Sequence, residues 1–219
     1  MKFTSLFLLL SILVLGCFAA PAWADTIAIT NASFQTVSLL TPLNQSCGVG
    51  CTFNTSIPGW TITGAGGQFP AGQFQPGSLF FTPALPSGNI VAYSNGGTIS
   101  QQLSASLTPG WTYTLSVDVG RRLDAGVNNF TIDLFAGNQL LNFLTLSNGI
   151  ITPGTFLNES FNYTAGAVPF AGPLRIDLSA VGPQQINFDN VQLTGVPEPG
   201  SLALLATGLG LMFFVFRRR

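Results

Sequence analysis

The sequence predicts an all-β fold, an antiparallel β-sandwich between two apolar terminal helices, on three observations. Apolar residues alternate with polar ones at a period of two in about ten short runs. Glycine, proline and asparagine turns such as PGW, AGN, SNG and TPG separate those runs, and no convincing helical stripe interrupts them. One face of each run is polar, which disfavours a parallel sheet, since parallel strands are covered on both faces.

The runs follow one another along the chain. The first is expected at 26–30, followed by 78–81, 90–93 and 98–103. The clearest is 111–119, where Trp111, Tyr113, Leu115, Val117 and Val119 alternate with Thr112, Thr114, Ser116 and Asp118. Phe130, Ile132 and Leu134 repeat the pattern, then come 140–146 and 156–163, and Leu174, Ile176 and Leu178 restore it. The final run, 186–193, slips in phase: Ile186 and Phe188 share one parity, Val191 and Leu193 the other. A β-bulge at Asp189-Asn190 accounts for the slip, and bulges re-aim side chains, so Asp189 is the acid to watch. The alternative is that Asn190 relaxes the bend and Asp189 caps a backbone amide. A glycine- and glutamine-rich stretch, 64–77, is expected as a long loop at one end of the sandwich. Its Phe69 and Phe74, with Trp60, are the candidate ligand-binding aromatics, the alternative being that they tuck against the sandwich.

The termini assign the compartment. Residues 1–24 read as a signal peptide: Lys2, an apolar stretch, then Ala22-Trp23-Ala24 before Asp25. A competing cleavage box, Val14-Leu15-Gly16-Cys17, would instead make Cys17 a lipidated terminus. Residues 25–195 form the ectodomain. It carries Arg121, Arg122 and Arg175 against seven acids, which excludes a basic stripe for nucleic acid. The exported chain retains Cys47 and Cys51, expected as a disulfide whose short loop gives about 2 kcal/mol by chain entropy. No histidine is present, which removes Ser-His-Asp triads and histidine metal sites. The acids Asp118, Asp133 and Asp177 sit on polar strand faces, where solvation is the simpler reading than a carboxylate pair for glycoside hydrolysis. Sequons at Asn31, Asn44, Asn54, Asn129, Asn158 and Asn162 follow from strand and turn composition.

The chain ends with Pro197-Glu198-Pro199, the uncharged run 201–216 and Arg217, Arg218 and Arg219. As a helix, 201–216 would reach about 24 Å, short but able to span a membrane, with the arginines as its cytoplasmic anchor. Residues 196–219 thus resemble the PEP-CTERM sorting signal of Gram-negative bacteria, which an exosortase processes at the Pro-Glu-Pro motif. The resemblance implies export through signal peptidase, a membrane-anchored precursor, and a destination at the cell surface or in the extracellular matrix.

NASFQT (31–36), GGTISQQLSASLTPGWTYTLSVDVG (96–120) and QINFDNVQLTG (185–195) resemble a galactose-binding-like jelly roll. Carbohydrate-binding modules and the Stig cyclases of indole alkaloids share that fold. Likeness to the modules implies a polysaccharide ligand and a structural calcium held by Asp189 and Gln35, with Gln35 standing where a glutamate is usual and Asn31 or backbone carbonyls completing the oxygen shell. Likeness to the cyclases implies Asp189 as an acid, with Tyr93 or Phe130 lining its pocket. A binding protein of the surface or matrix, with no catalytic residue, is the leading expectation; a self-associating coat protein and an enzyme are the alternatives.

Overall fold

In the structure, a computed structural model that describes residues 23–48, 50–64, 67–82, 84–182 and 184–198, the ectodomain consists of strands joined by turns and loops. The chain forms β1 (Asp25–Ile27), β2 (Gln45–Ser46), β3 (Thr52–Phe53), β4 (Thr61–Thr63) and β5 (Ala71–Gln75). It continues with β6 (Val91–Ser94), β7 (Thr98–Ser106), β8 (Trp111–Arg121), β9 (Asn129–Ala136) and β10 (Gln139–Ser147). A 3-10 turn, Asn148–Ile150, precedes β11 (Thr155–Thr164), β12 (Pro173–Ala180) and β13 (Ile186–Pro197).

Two sheets result. One runs β11-β8-β13-β6-β5-β3-β2, with β1 also paired to β13; the other runs β10-β9-β12-β7-β4. The recorded registers are antiparallel, including the full-length pairing of β8 with β11 from Arg121↔Thr155 to Thr112↔Thr164. The alternating apolar residues of β8, β9 and β12 meet between the sheets, where Leu115, Val117, Ile132, Leu134, Ile176 and Leu178 are buried together. Burying such side chains stabilises the fold by roughly 1.5–3 kcal/mol each, so these strands contribute a large share of the core energy.

A second apolar cluster lies on the outer face of the larger sheet. Phe74, Val91 and Tyr93 point away from the main core and are covered by Phe80 and Phe81 of the following connection. This corrects two expectations. Residues 78–81 form a turn, closed by Phe80 N–H donating to Gly77 O (3.2 Å), whose phenylalanines cap the sheet. The stretch 64–77 is a loop only at its start, because Ala71–Gln75 pairs between β3 and β6 as an inner strand. Glycine belongs in that strand: a Cβ on Gly72 would lie 2.0 Å from Asn54 O, so the neighbouring chain could not approach.

β1 is also shorter than expected, because Asn31 and Phe34 adopt left-handed φ values of 51° and 57° and turn the chain inward. Phe34 is thereby driven into the core beside Trp60, their ring centroids 5.4 Å apart. β13 is longer than expected and reaches Pro197, a position open to proline because the strand ends there. Cys47 and Cys51 are disulfide-bonded. The signal segment apart from its last two residues, the helix expected at 201–216, Pro199 and Arg217–Arg219 lie outside the described residues.

Candidate functional site

The ladder registers bring several connections to one end of the sandwich. The start of β5 pairs with the end of β6 (Ala71↔Ser94), and the end of β6 with the start of β13 (Ile186↔Ser94). The end of β12 lies beside the start of β9 (Ala180↔Phe130). The connections there enclose an open cleft of about 800 Å³, lined by Asn95, Arg122, Asp124, Gln184 and Gln185 together with Gly67, Gly96 and Gly182.

Arg122 organises this cleft. Its Nε donates to Asp124 Oδ1 (2.8 Å) and its Nη1 to Gln185 Oε1 (2.7 Å). Its guanidinium stacks 4.3 Å from the centroid of Phe80 and 5.3 Å from that of Phe74. An arginine so stacked and forked is pre-oriented, and little side-chain freedom remains to be lost on binding. The hydrogen bond from Arg122 holds the Asp124 carboxyl below its ordinary range, so at neutral pH it accepts hydrogen bonds and does not supply a proton. Gln184 Oε1 accepts from Gly126 N–H (3.3 Å) and Asn95 Nδ2 donates to Phe69 O (3.0 Å), so both lining carboxamides are fixed at one end. A charged pair and three carboxamides around an open space can recognise a polyhydroxylated ligand through paired donors and acceptors. None of these residues stood out in the sequence, because they lie in four separate connections that only the strand registers bring together.

The aromatics expected to bind ligand are placed elsewhere. Trp60 is buried, packs on Phe34 and donates from Nε1 to Thr30 O (3.0 Å). Phe74 is buried beneath Arg122, and Phe69 stands edge-on to Phe53 at 5.0 Å. Phe74 and Phe69 pack in the cluster on the outer sheet face and Trp60 in the main core, so each ring buries more apolar surface than a solvent-facing platform would. Gly67 is the part of the 64–77 stretch that lines the cleft.

Asp189 sits on the outer face of β13 with no exposed surface. The bulge is present: Asn190 has φ 48°, and the core-facing parity changes across it. Asp189 Oδ2 accepts from Ser87 N–H (2.9 Å) and Oδ1 from Asn190 N–H (2.8 Å). Burial pushes its carboxyl up to about 7, against the pull of those two amides, and the neighbouring Asp118 charge adds to the rise. Asp118 is itself buried on this face, accepting from Asn158 Nδ2 (2.7 Å) and Asn190 Nδ2 (3.0 Å). Tyr93 donates its hydroxyl to Asn54 O (3.0 Å), and Phe130 lies in the main core. Asp189, Tyr93 and Phe130 therefore do not line the cleft.

The residues named for calcium separate into two places. Asn31 closes its own turn, its Oδ1 accepting from Thr36 N–H (2.9 Å) and its Nδ2 donating to Thr36 O and Pro58 O (3.2 Å each). Gln35 and Asp189 both reach the 87–90 segment, on different atoms. Gln35 Nε2 faces the carbonyls of Ser33 (2.7 Å), Ser87 (2.8 Å) and Ile90 (2.6 Å), and its Oε1 accepts from the amides of Asn89 (3.1 Å) and Ile90 (3.3 Å). Calcium takes six to eight oxygens. An amide nitrogen already occupies the focus of these carbonyls, so the donor set does not suit that ion.

Comparison with known proteins follows the same lines. The family model described as HpiC1 cyclase matches residues 25–194, and the PEP-CTERM protein-sorting motif matches residues 195–219. No curated protein sequence matches the chain. Among solved structures, the Stig cyclase Fisc from Fischerella sp. TAU, in complex with (3Z)-3-(1-methyl-2-pyrrolidinylidene)-3H-indole, superposes with a TM-score of 0.63 at 25% identity, covering 80% of this chain and 99% of that one. A family 61 carbohydrate-binding module in complex with β-1,4-galactotriose gives 0.49 at 13% identity, with coverages of 77% and 98%. A xylan-binding domain from Paenibacillus barcinonensis gives 0.49 at 14%, with coverages of 81% and 99%.

Proposed function

The chain belongs to the HpiC1-like cyclase family and carries a PEP-CTERM sorting motif, and from these premises we propose that it is a non-catalytic, polysaccharide-binding protein of the cell surface or extracellular matrix. The sorting motif implies export and a membrane-anchored precursor processed by an exosortase, and on this reading signal peptidase removes residues 1–24. Processing at Pro197-Glu198-Pro199 releases the sandwich from the apolar run 201–216 and from Arg217–Arg219.

The observation that carries the binding reading is the Arg122-Asp124 pair in the open cleft. Asp124 is held ionised by Arg122, and Gln184, Gln185 and Asn95 surround the pair, so the cleft offers hydrogen bonds without a proton donor matched to neutral pH. The acid that the cyclase chemistry would use, Asp189, is enclosed, with each oxygen taken by a backbone amide. On this reading the family scaffold is retained and its end loops present a binding surface.

The test is a broad glycan array probed with the purified exported protein and with its Asp124→Ala and Gln185→Ala variants. Binding by the parent that falls at least about tenfold in each variant supports the reading, since each removes a charge-assisted or direct hydrogen bond of about 1.5 kcal/mol. Absence of glycan binding by the parent would leave only the assigned destination standing.

A second reading, cyclisation of an indole-containing substrate, is favoured by the family membership and by a carboxyl at Asp189 that titrates near neutrality. It requires the 84–90 segment to open over Asp189. Turnover of such a substrate that is abolished by Asp189→Asn would establish it.

A further inference from the structure

Three backbone carbonyls, of Ser33, Ser87 and Ile90, converge on one point between the N-terminal segment and the 87–90 turn, and Gln35 Nε2 occupies that point at 2.6–2.8 Å from each. Converging carbonyl dipoles repel one another unless something positive sits at their focus. In a metal site that charge is a cation. Here it is the partial positive charge of a carboxamide NH2 group.

The orientation of the amide is fixed by its surroundings. Oε1 accepts from the N–H groups of Asn89 and Ile90, so a reversed amide would set two donors against an NH2 group and an oxygen against three carbonyls. The turn is also shaped to the side chain. Gly88 has φ 61°, and a Cβ there would lie 2.2 Å from Gln35 Oε1, so the chain closes on the amide at a position that favours glycine. The neighbouring carboxylate is occupied as well, since Asp189 Oδ2 accepts from Ser87 N–H.

We infer that Gln35 is a built-in replacement for a metal ion: its side-chain amide occupies a divalent-cation position, clamps residues 33–35 to the 87–90 turn, and makes the fold independent of calcium. The exchange is electrostatically coherent. A glutamate at the same position would add a negative charge to three carbonyl dipoles and require a cation; glutamine supplies two N–H donors shared among the three carbonyls and adds no negative charge. This inference does not depend on what the cleft binds.

The experiment is thermal unfolding of the purified exported protein, followed by circular dichroism in excess EDTA and in millimolar calcium. The parent is expected to unfold at one temperature in both. Gln35→Glu is expected to lose roughly 5–10 °C in EDTA and to recover most of it, saturably, in calcium. Gln35→Ala, which removes the clamp without creating a ligand, is expected to lose stability equally in both solutions. A parent whose midpoint falls in EDTA and returns with calcium overturns the inference, and so does a Gln35→Glu protein indifferent to calcium or a Gln35→Ala protein rescued by it. Should Gln35→Glu fail to fold in EDTA, dialysis into calcium reads the same outcome: refolding supports the inference and continued unfolding overturns it.

Discussion

Asp133 shows how a side chain on an outer strand face can still be set by its neighbours. It lies directly opposite Asp177 in the β9–β12 register, a like-charge cross-strand pair. Partial burial pushes its carboxyl up to about 6, the Asp177 charge adds to the rise, and Arg175 opposes it. Arg175 is committed elsewhere, with Nε 3.1 Å from Asp177 Oδ1 and its guanidinium 4.0 Å from the Phe135 ring centroid. A carboxyl whose folded pKa exceeds its unfolded one favours the fold below the unfolded value, and that advantage disappears as pH rises through the folded value. Stability should therefore fall between about pH 4 and pH 6–7. Asp133→Asn should flatten that part of the profile and raise stability at pH 8 by about 1 kcal/mol, after discounting for solvent screening at a half-exposed position. Urea unfolding across pH reads both effects; an unaltered profile in the variant would assign the dependence to Asp189. The sequence placed these acids on a polar face, but the register made two of them neighbours.

The bulge in β13 is the element on which the outer face turns. It was legible in the sequence as a change of parity between Phe188 and Val191, because a strand that must bury both can do so only by adding a residue. What the parity could not reveal is the use made of the extra residue. Asn190 takes the left-handed conformation at φ 48° and sends its side chain to Asp118 Oδ2, linking β13 to β8 across the sheet. Asn190→Ala should cost about 2 kcal/mol, from backbone strain together with the lost hydrogen bond. Asn190→Gly should recover the backbone part and lose only the bond. A urea midpoint lower for alanine than for glycine, with an unchanged slope, is the expected result; equal midpoints would mean that the backbone conformation contributes nothing. Two stretches depart from the sequence reading, in opposite senses: 78–81 lies in a connection whose Phe80 and Phe81 cover this outer face, and 64–77, expected as a loop from its glycine and glutamine content, supplies the inner strand β5.

At the scale of the whole molecule, localisation and binding are written in separate parts of the chain. The sorting motif is contiguous, and among the described residues β13 runs to Pro197 and Glu198 is exposed. Glu198→Ala should leave the sandwich unchanged and abolish processing, so that an immunoblot of membrane fractions shows only the precursor. A normal mature species from that variant would remove Glu198 from the recognised motif. The cleft, by contrast, draws Asn95, Arg122, Asp124 and Gln185 from three connections, and its variants should alter ligand binding without changing where the protein is found.

The sequence by itself determined what depends on neighbours along the chain: the strands from β6 onward, the antiparallel two-sided pattern, the bulge and the sorting segment. Each of these is local, since side-chain parity and a contiguous peptide signal need no distant residue to be read. Only the tertiary structure decided which residues meet. It buried Trp60 in the main core and Phe74 in the cluster on the outer sheet face, brought the cleft together from loops at one end, and set the Gln35 amide among carbonyls from two segments more than fifty residues apart. Such meetings are fixed by strand order and register, and those follow from the burial of the whole core at once.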